Sequence, residues 1–427
     1  MNRKWMRLDN AALIFPAIRS RQWVNTFRIS VDLSEEVDPA LLQQAVEDLF
    51  PRFPSLYVRL GRGLFWYFLE QVKTLPQVRP EYAFPLTHMS AKEQKRCCFR
   101  VFYHEKRIAV EFFHVVTDGG GGLTYVKTLT ARYLELKYGI SVPPEKGVLD
   151  HRTKPAEWET EDAFQKTGGK YAMSRKEETA YRLSGMREPG GERHIITGLV
   201  STKILREKAR KAGSTVTGYL AAVMMETIIE IQACHVKEKK WRPVKITVPI
   251  NLRKVFQTDT LRNFTLALNV GVDPRLKAYS VEELCREYDR QMALELVPEK
   301  MAARVAANVN LQRLLSIRLV PLFLKNPIMR GVYRQVGEKK GCINLSNLGR
   351  VELPAEMEPF VKRVDFMIGV QISYPNNCSV ASYGDLTCIN MIRNIRDTEL
   401  ERRFFTRLVQ RGIPVMIEEG TPPLKED

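Results

Sequence analysis

Apolar and polar residues alternate near the start of the chain in a way that predicts a strand. Trp23, Phe27, Ile29, Val31 and Leu33 fall on one face, with Arg28, Ser30 and Asp32 between them. The spacing then changes to that of a helix. Asp38 and Pro39 supply an N-cap and a first helical position, Leu41, Leu42, Ala45, Val46, Leu49 and Phe50 follow, and Pro51 ends the run. A hairpin is expected from Cys98–Tyr103 and Arg107–Val115 around His104-Glu-Lys. After the glycines at 119 to 122, a helix from Leu123 to Tyr138 should stop at Gly139.

The second half uses the same alphabet of elements. Ser214-Thr-Val-Thr opens a helix through Met224 and Met225 to about Ile231, and alternation at Val244, Ile246, Val248 and Ile250 predicts a strand. Further expectations are a strand over 264–272, a helix over 281–295, strands around Ile343 and over 364–374, a hairpin over 379–392, and an amphipathic helix over 397–410. Between about Pro143 and Gly191 apolar periodicity fades and Glu, Lys, Arg, Thr and Gly dominate, which reads as a surface connection holding a short helix or two. Strands mixed with helices in both halves predict an α/β protein of α+β layers with mixed sheets. The expected division is a first subdomain over 1–165, a connecting segment over 166–192 and a second subdomain over 193–427.

Composition narrows the classes. With 44% apolar and 27% charged residues, the 427-residue chain can bury a large core, which excludes a disordered protein or a coiled-coil rod. No run of about 18 uncharged apolar residues predicts a membrane-spanning helix. Nor does the start carry an apolar stretch of signal-peptide length, so cytoplasmic residence is the default expectation. The seven cysteines show no CxxC pair and read as reduced packing thiols, with no metal site implied. A net charge of +17 suits an anionic partner, but no nucleic-acid-binding signature accompanies it, and Lys237 to Lys240 reads as a solvated face.

The most informative stretch is Glu111-Phe-Phe-His114-Val-Val-Thr-Asp118-Gly119-Gly-Gly-Gly122. His114 ends an apolar strand, and a carboxylate follows four residues on, before a glycine run and a helix. One reading is a general base, since imidazole takes a proton near neutral pH while the aspartate fixes the turn. A second is a satisfied core histidine followed by a flexible turn. A third is an anion-binding loop at a helix N-terminus, although the Lys-Ser/Thr of a P-loop and the GxGxxG spacing are both missing.

His114-Val-Val-Thr-Asp118-Gly119 resembles the HxxxDG signature of the chloramphenicol acetyltransferase-like superfamily, which includes alcohol acetyltransferases, polyketide-associated acyltransferases and the condensation domains of peptide synthetases. Its surroundings resemble the family in the same order: Leu8-Asp9 the opening motif, Asp38 to Leu56 the first helix and its ending, Gly213 to Ala222 the start of the second half, then Val248-Pro-Ile-Asn251-Leu-Arg253 and Leu345-Ser346-Asn347-Leu348-Gly349. The resemblance implies two similar subdomains forming a V with a tunnel between them. It implies that His114 deprotonates an acceptor, which then attacks an acyl thioester on coenzyme A or a carrier-protein arm. Asp118, followed by Gly119, would be chiefly structural and would pair with an arginine of the other half, for which Arg253 is the choice. Ser346 and Asn347 fall where the family places residues near the tunnel; they would bind the oxyanion or pantetheine, or simply form a turn.

Phe113 stands where many members carry a first histidine, which leans away from peptide-bond formation and towards the alcohol acetyltransferases. The expectation is therefore an O-acyltransferase moving an acyl group, acetyl foremost, from acyl-CoA to a small alcohol. It would bind no cofactor beyond that co-substrate and no nucleic acid. The alternatives are a condensation-like enzyme using an acyl carrier protein or an amine acceptor, and a catalytically silent binding homologue. Contact of Val305–Phe323 with a membrane surface is a further alternative, less favoured than a core-packed helix ending before Pro321.

Overall fold

The computed structural model describes residues 5–18, 24–81, 84–167, 172, 177–189, 193–313, 319–333, 339–371 and 374–419. The alternating early segment forms strand Thr26–Leu33 at the heart of a five-stranded sheet, in the order Val361–Ile368, Thr26–Leu33, Arg107–Phe113, Phe99–His104, Arg79–Pro80. Trp23 lies outside the described residues. The strand's polar positions do not face water as simple alternation suggests. Arg28 is 1% exposed, and its guanidinium reaches Glu81 at 2.6 Å and Glu111 at 3.5 Å. Both faces of the sheet are covered, and the paired charges permit burial of the polar one.

A second, seven-stranded sheet runs Thr265–Val272, Val244–Asn251, Ile343–Val351, Asn376–Tyr383, Leu386–Arg393, His194–Ser201, Met416–Glu419. Ile343–Val351 is parallel to both of its neighbours and the other pairings are antiparallel, so the sheet is mixed. Helix Gly119–Tyr138 packs beside the first sheet with Pro39–Asp48 against it, and Val216–His235 and Val281–Glu295 pack beside the second with Glu399–Gln410 against Val216–His235. Two large apolar cores result, one per lobe. The lobes also exchange chain. After Ile343–Val351 the backbone crosses to add Val361–Ile368 to the edge of the first sheet beside Thr26–Leu33, then returns for Asn376–Tyr383.

Two local expectations need correction. The helix expected from Leu123 begins at Gly119, so the glycine run is its first turn and not a flexible turn before it. A Cβ on Gly121 would stand 2.2 Å from the Leu261 carbonyl oxygen, and one on Gly122 would stand 2.8 Å from the Phe27 ring. Glycine is needed there for close approach. The stretch after Val305 also divides in two. Helix Pro298–Arg313 buries Met301, Val305, Ala306 and Val309, whereas helix Leu322–Val332 leaves much of its apolar surface open. In the connecting segment, Glu157–Thr160 and Ala163–Thr167 are short helical pieces, and residues 168–171, 173–176 and 190–192 lie outside the described residues.

Candidate functional site

Strand Arg107–Phe113 delivers His114 at its end, where the His114 N–H donates to the Asn25 carbonyl at 2.8 Å. The chain then leaves the sheet and Asp118 caps the next helix. Its Oδ1 accepts from the N–H groups of Gly120 at 3.0 Å and Gly121 at 3.2 Å, the usual use of an aspartate at an N-cap. Its Oδ2 faces the second lobe and accepts from Arg253 Nη1 at 3.0 Å and the Phe264 N–H at 2.7 Å. Arg253 also donates to the carbonyls of Thr260 at 2.7 Å and Arg262 at 2.5 Å. Thr117 Oγ1 donates to the Leu261 carbonyl at 2.6 Å. One guanidinium thus holds the 260–262 loop and the turn after His114 together.

A second polar chain meets the histidine itself. His114 Nδ1 lies 2.9 Å from Asn263 Oδ1, and Asn263 Nδ2 donates to Asp9 Oδ2 at 3.1 Å. The Ala12 N–H donates to Asp9 Oδ1 at 2.8 Å, and Arg262 Nη2 stands 3.7 Å from Asp9. Two rings complete the frame: Phe15 stacks on the imidazole with centroids 4.8 Å apart, and Phe27 meets it edge-on at 5.2 Å. Asn25 Nδ2 donates to the Phe15 carbonyl at 3.2 Å, so the residue holding the His114 backbone also holds its stacking partner. The imidazole remains only half-buried.

The two carboxylates behave differently. Burial pushes Asp118 up, but Arg253 and the N–H groups of Phe264 and Gly121 outweigh it and hold the carboxyl below its usual range. Burial also pushes Asp9 up, and there Arg262, Asn263 and the Ala12 N–H do not offset it, so its carboxyl stays above the usual range. Neighbouring Asp162 is pushed up to about 6, by burial first and by the Asp9 charge second.

His114, Asp118, Gly119 and Arg253 therefore converge at the seam between the lobes. Ser346 and Asn347 lie on strand Ile343–Val351, which touches the site through Leu348, whose Cδ2 would stand 2.8 Å from a Cβ at Gly119. Asn347 itself donates from Nδ2 to Thr217 Oγ1 at 3.0 Å and accepts from the Gly349 N–H at 2.7 Å. Its contacts are thus those of a turn and a strap to helix Val216–His235. Sequence reading overlooked Asn263 altogether and gave Asp9 no role beyond its motif. The one signal for Asn263 was a polar Arg262-Asn263 pair directly before an apolar strand.

No family model and no curated protein matches the sequence. Solved structures do match. Fusarium graminearum TRI101 in complex with coenzyme A and T-2 mycotoxin superposes with a TM-score of 0.63 at 10% identity, covering 93% of this chain and 96% of that one. Polyketide synthase associated protein 5 from Mycobacterium tuberculosis gives 0.60 at 14% identity, over 94% and 96%. A single-site mutant of the starter condensation domain of rhizomide synthetase RzmA, in complex with C8-CoA, gives 0.61 at 11% identity, over 96% and 95%. The chain has the chloramphenicol acetyltransferase-like fold. Within this fold, the turn carrying His114 and Asp118 ends a strand of one lobe and is closed by Arg253, Asn263 and Phe264 of the other.

Proposed function

We propose that the protein is an acyltransferase that moves an acyl group from a coenzyme A thioester to an alcohol hydroxyl, with His114 as general base. The observation that carries this reading is the tethering of one imidazole nitrogen while the ring stays half open. The Asn263 amide nitrogen donates to Asp9, so its oxygen is what faces His114 Nδ1. An amide oxygen only accepts, so Nδ1 carries the proton and Nε2 keeps a lone pair for substrate. The acceptor hydroxyl gives its proton to Nε2 as its oxygen attacks the thioester carbonyl carbon. The carbon–sulfur bond then breaks, and the imidazolium returns the proton to the departing thiolate, giving an ester and free coenzyme A. A thioester is already activated, so one base and correct positioning suffice without a covalent enzyme intermediate.

Asp118 and Arg253 act as the clasp that brings the two lobes to this geometry. The lobes are taken as 1–165 and 193–427, joined by 166–192, with the second lending strand Val361–Ile368 to the first sheet. Coenzyme A as donor is supported by the complexes of similar structures with coenzyme A and C8-CoA. The test is mass-spectrometric detection of products from acetyl- to palmitoyl-CoA offered with a panel of alcohols and amines. Ester formation should fall about 100- to 10,000-fold in His114→Ala with the fold retained. Near wild-type turnover in that variant would overturn the role of His114. No product from any pair would direct the search to carrier-protein thioesters and then to a silent homologue.

A further inference from the structure

Helix Leu322–Val332 carries an unusual outer face. At about 100° per residue, Phe323, Leu324, Pro327, Ile328 and Gly331 fall within one arc that contains no polar side chain, and all five are exposed. Phe323 is 60% and Ile328 62% exposed. Lys325 and Arg330 sit at the two margins of that arc. The tip between strands Val58–Arg62 and Tyr67–Gln71 docks on this helix: the Leu322 N–H donates to the Leu64 carbonyl at 2.8 Å, and Lys325 Nζ donates to the Phe65 carbonyl at 2.8 Å. The tip adds Leu64, 61% exposed, and Trp66, 57% exposed, beside Arg62. Neither 61–69 nor 319–333 contains an aspartate or glutamate. Two adjoining elements thus form one apolar surface with cations at its rim and no acidic side chain in either segment.

We infer that this surface docks on an anionic lipid bilayer. Isolated exposed apolar residues are ordinary, whereas a continuous apolar patch on neighbouring elements marks a contact surface. The pattern fits a helix lying flat in the interface: apolar face inward, Lys and Arg at headgroup level, and a tryptophan at the boundary. The charges select the partner, because rim cations and a net charge of +17 favour the negative surface of a lipid membrane. Among the described residues no single helix is long and apolar enough to cross a membrane. The helix also packs on Ile14–Ile18, the segment carrying Phe15, and Arg330 donates to the Ala17 carbonyl at 3.1 Å. Docking here would bring lipid close to the His114 ring. That consequence rests on the acyltransferase reading, and the binding itself does not.

The test is co-sedimentation of the full chain with vesicles of phosphatidylcholine alone and with about 30% phosphatidylglycerol, on the order of the anionic content that gives a strong surface potential. Binding should be strong only with the anionic lipid, weaken with salt, and fall at least tenfold in Trp66→Ser and Phe323→Ser/Ile328→Ser. Turnover of a water-soluble substrate pair should be unchanged in those variants. Absence of binding, or binding that the variants leave intact, would overturn the proposal. So would a dimer that the same variants dissociate, which would assign the face to a second copy. Vesicle binding without any acyl transfer would leave this inference standing and count against the catalytic reading alone.

Discussion

Asp118 and Asp9 are both fully buried, both stand beside an arginine, and both belong to the polar contacts around the His114 turn, yet they titrate in opposite directions. Burial raises each of them. The difference lies in what faces the oxygens. Asp118 receives a guanidinium hydrogen bond at 3.0 Å and three backbone N–H groups, all of which favour the charged form. Asp9 receives one neutral amide, one backbone N–H and an arginine 3.7 Å away whose guanidinium also hydrogen-bonds the Arg7 carbonyl. A buried carboxylate beside an arginine is therefore not one kind of object. The first is built as a clasp, and the second as an orienting group for Asn263.

The comparison breaks most sharply at the clasp. Asp118→Asn leaves the partly buried Arg253 guanidinium without its charge partner, and breaking a pair whose carboxylate is buried costs up to about 3–5 kcal/mol. Chemical denaturation should show that destabilisation. In Asp118→Asn/Arg253→Met the two losses should be strongly non-additive, because the residues share one interaction. Additive losses would show that Asp118 and Arg253 stabilise the protein independently. The other end predicts an effect on rate instead. Asn263→Ala removes the acceptor that fixes Nδ1, and losing a hydrogen bond of about 1–3 kcal/mol should lower kcat roughly 10- to 100-fold with KM within about twofold. An unchanged kcat would remove Asn263 as a positioning residue.

Much of this was legible in sequence because the signals were local. Alternation marked Thr26–Leu33 and Val244–Asn251, an N-cap with proline marked Pro39–Asp48, and a glycine stop marked the end of the helix at Tyr138. His114, Asp118 and Gly119 stand in one short motif, and Arg253 follows a recognisable strand end. What sequence could not show depends on distant approach. The Asn263–His114 contact spans 149 positions and the Asn263–Asp9 contact 254. No periodicity encodes either. The glycine run misled for the same reason, since its purpose is set by Leu261 and Phe27 pressing on the helix, and neither is near it in the chain. The buried polar face of Thr26–Leu33 likewise depends on Glu81 and Glu111 arriving from elsewhere in the chain.

The smallest expected effect separates the two aspartates most directly, through the sign of their pH dependence. Asp118 titrates below its ordinary value of 3.8 in the fold, so its stabilisation is present above that pH and is lost as pH falls through the folded value. The cost of Asp118→Asn should accordingly be constant above about pH 5 and shrink as pH falls below about 4, where the unfolded carboxylate takes up its proton first. Asp9 titrates above 3.8 in the fold, so burying its charge sets in a penalty as pH rises through the folded value. Asparagine carries no such penalty. Asp9→Asn has a fixed cost of its own, because the Ala12 N–H and Asn263 Nδ2 donate to different carboxylate oxygens and the amide would turn its NH2 towards one of them, but that cost does not vary with pH. Relative to the parent, Asp9→Asn should therefore gain stability as pH rises, while Asp118→Asn loses it. Melting temperatures of the three proteins from about pH 3 to pH 8 would read the two slopes as shifts on the order of a few degrees. Slopes of the same sign would mean that Asp9 is held as a charge after all, and that its pairing with Arg262 is a second clasp.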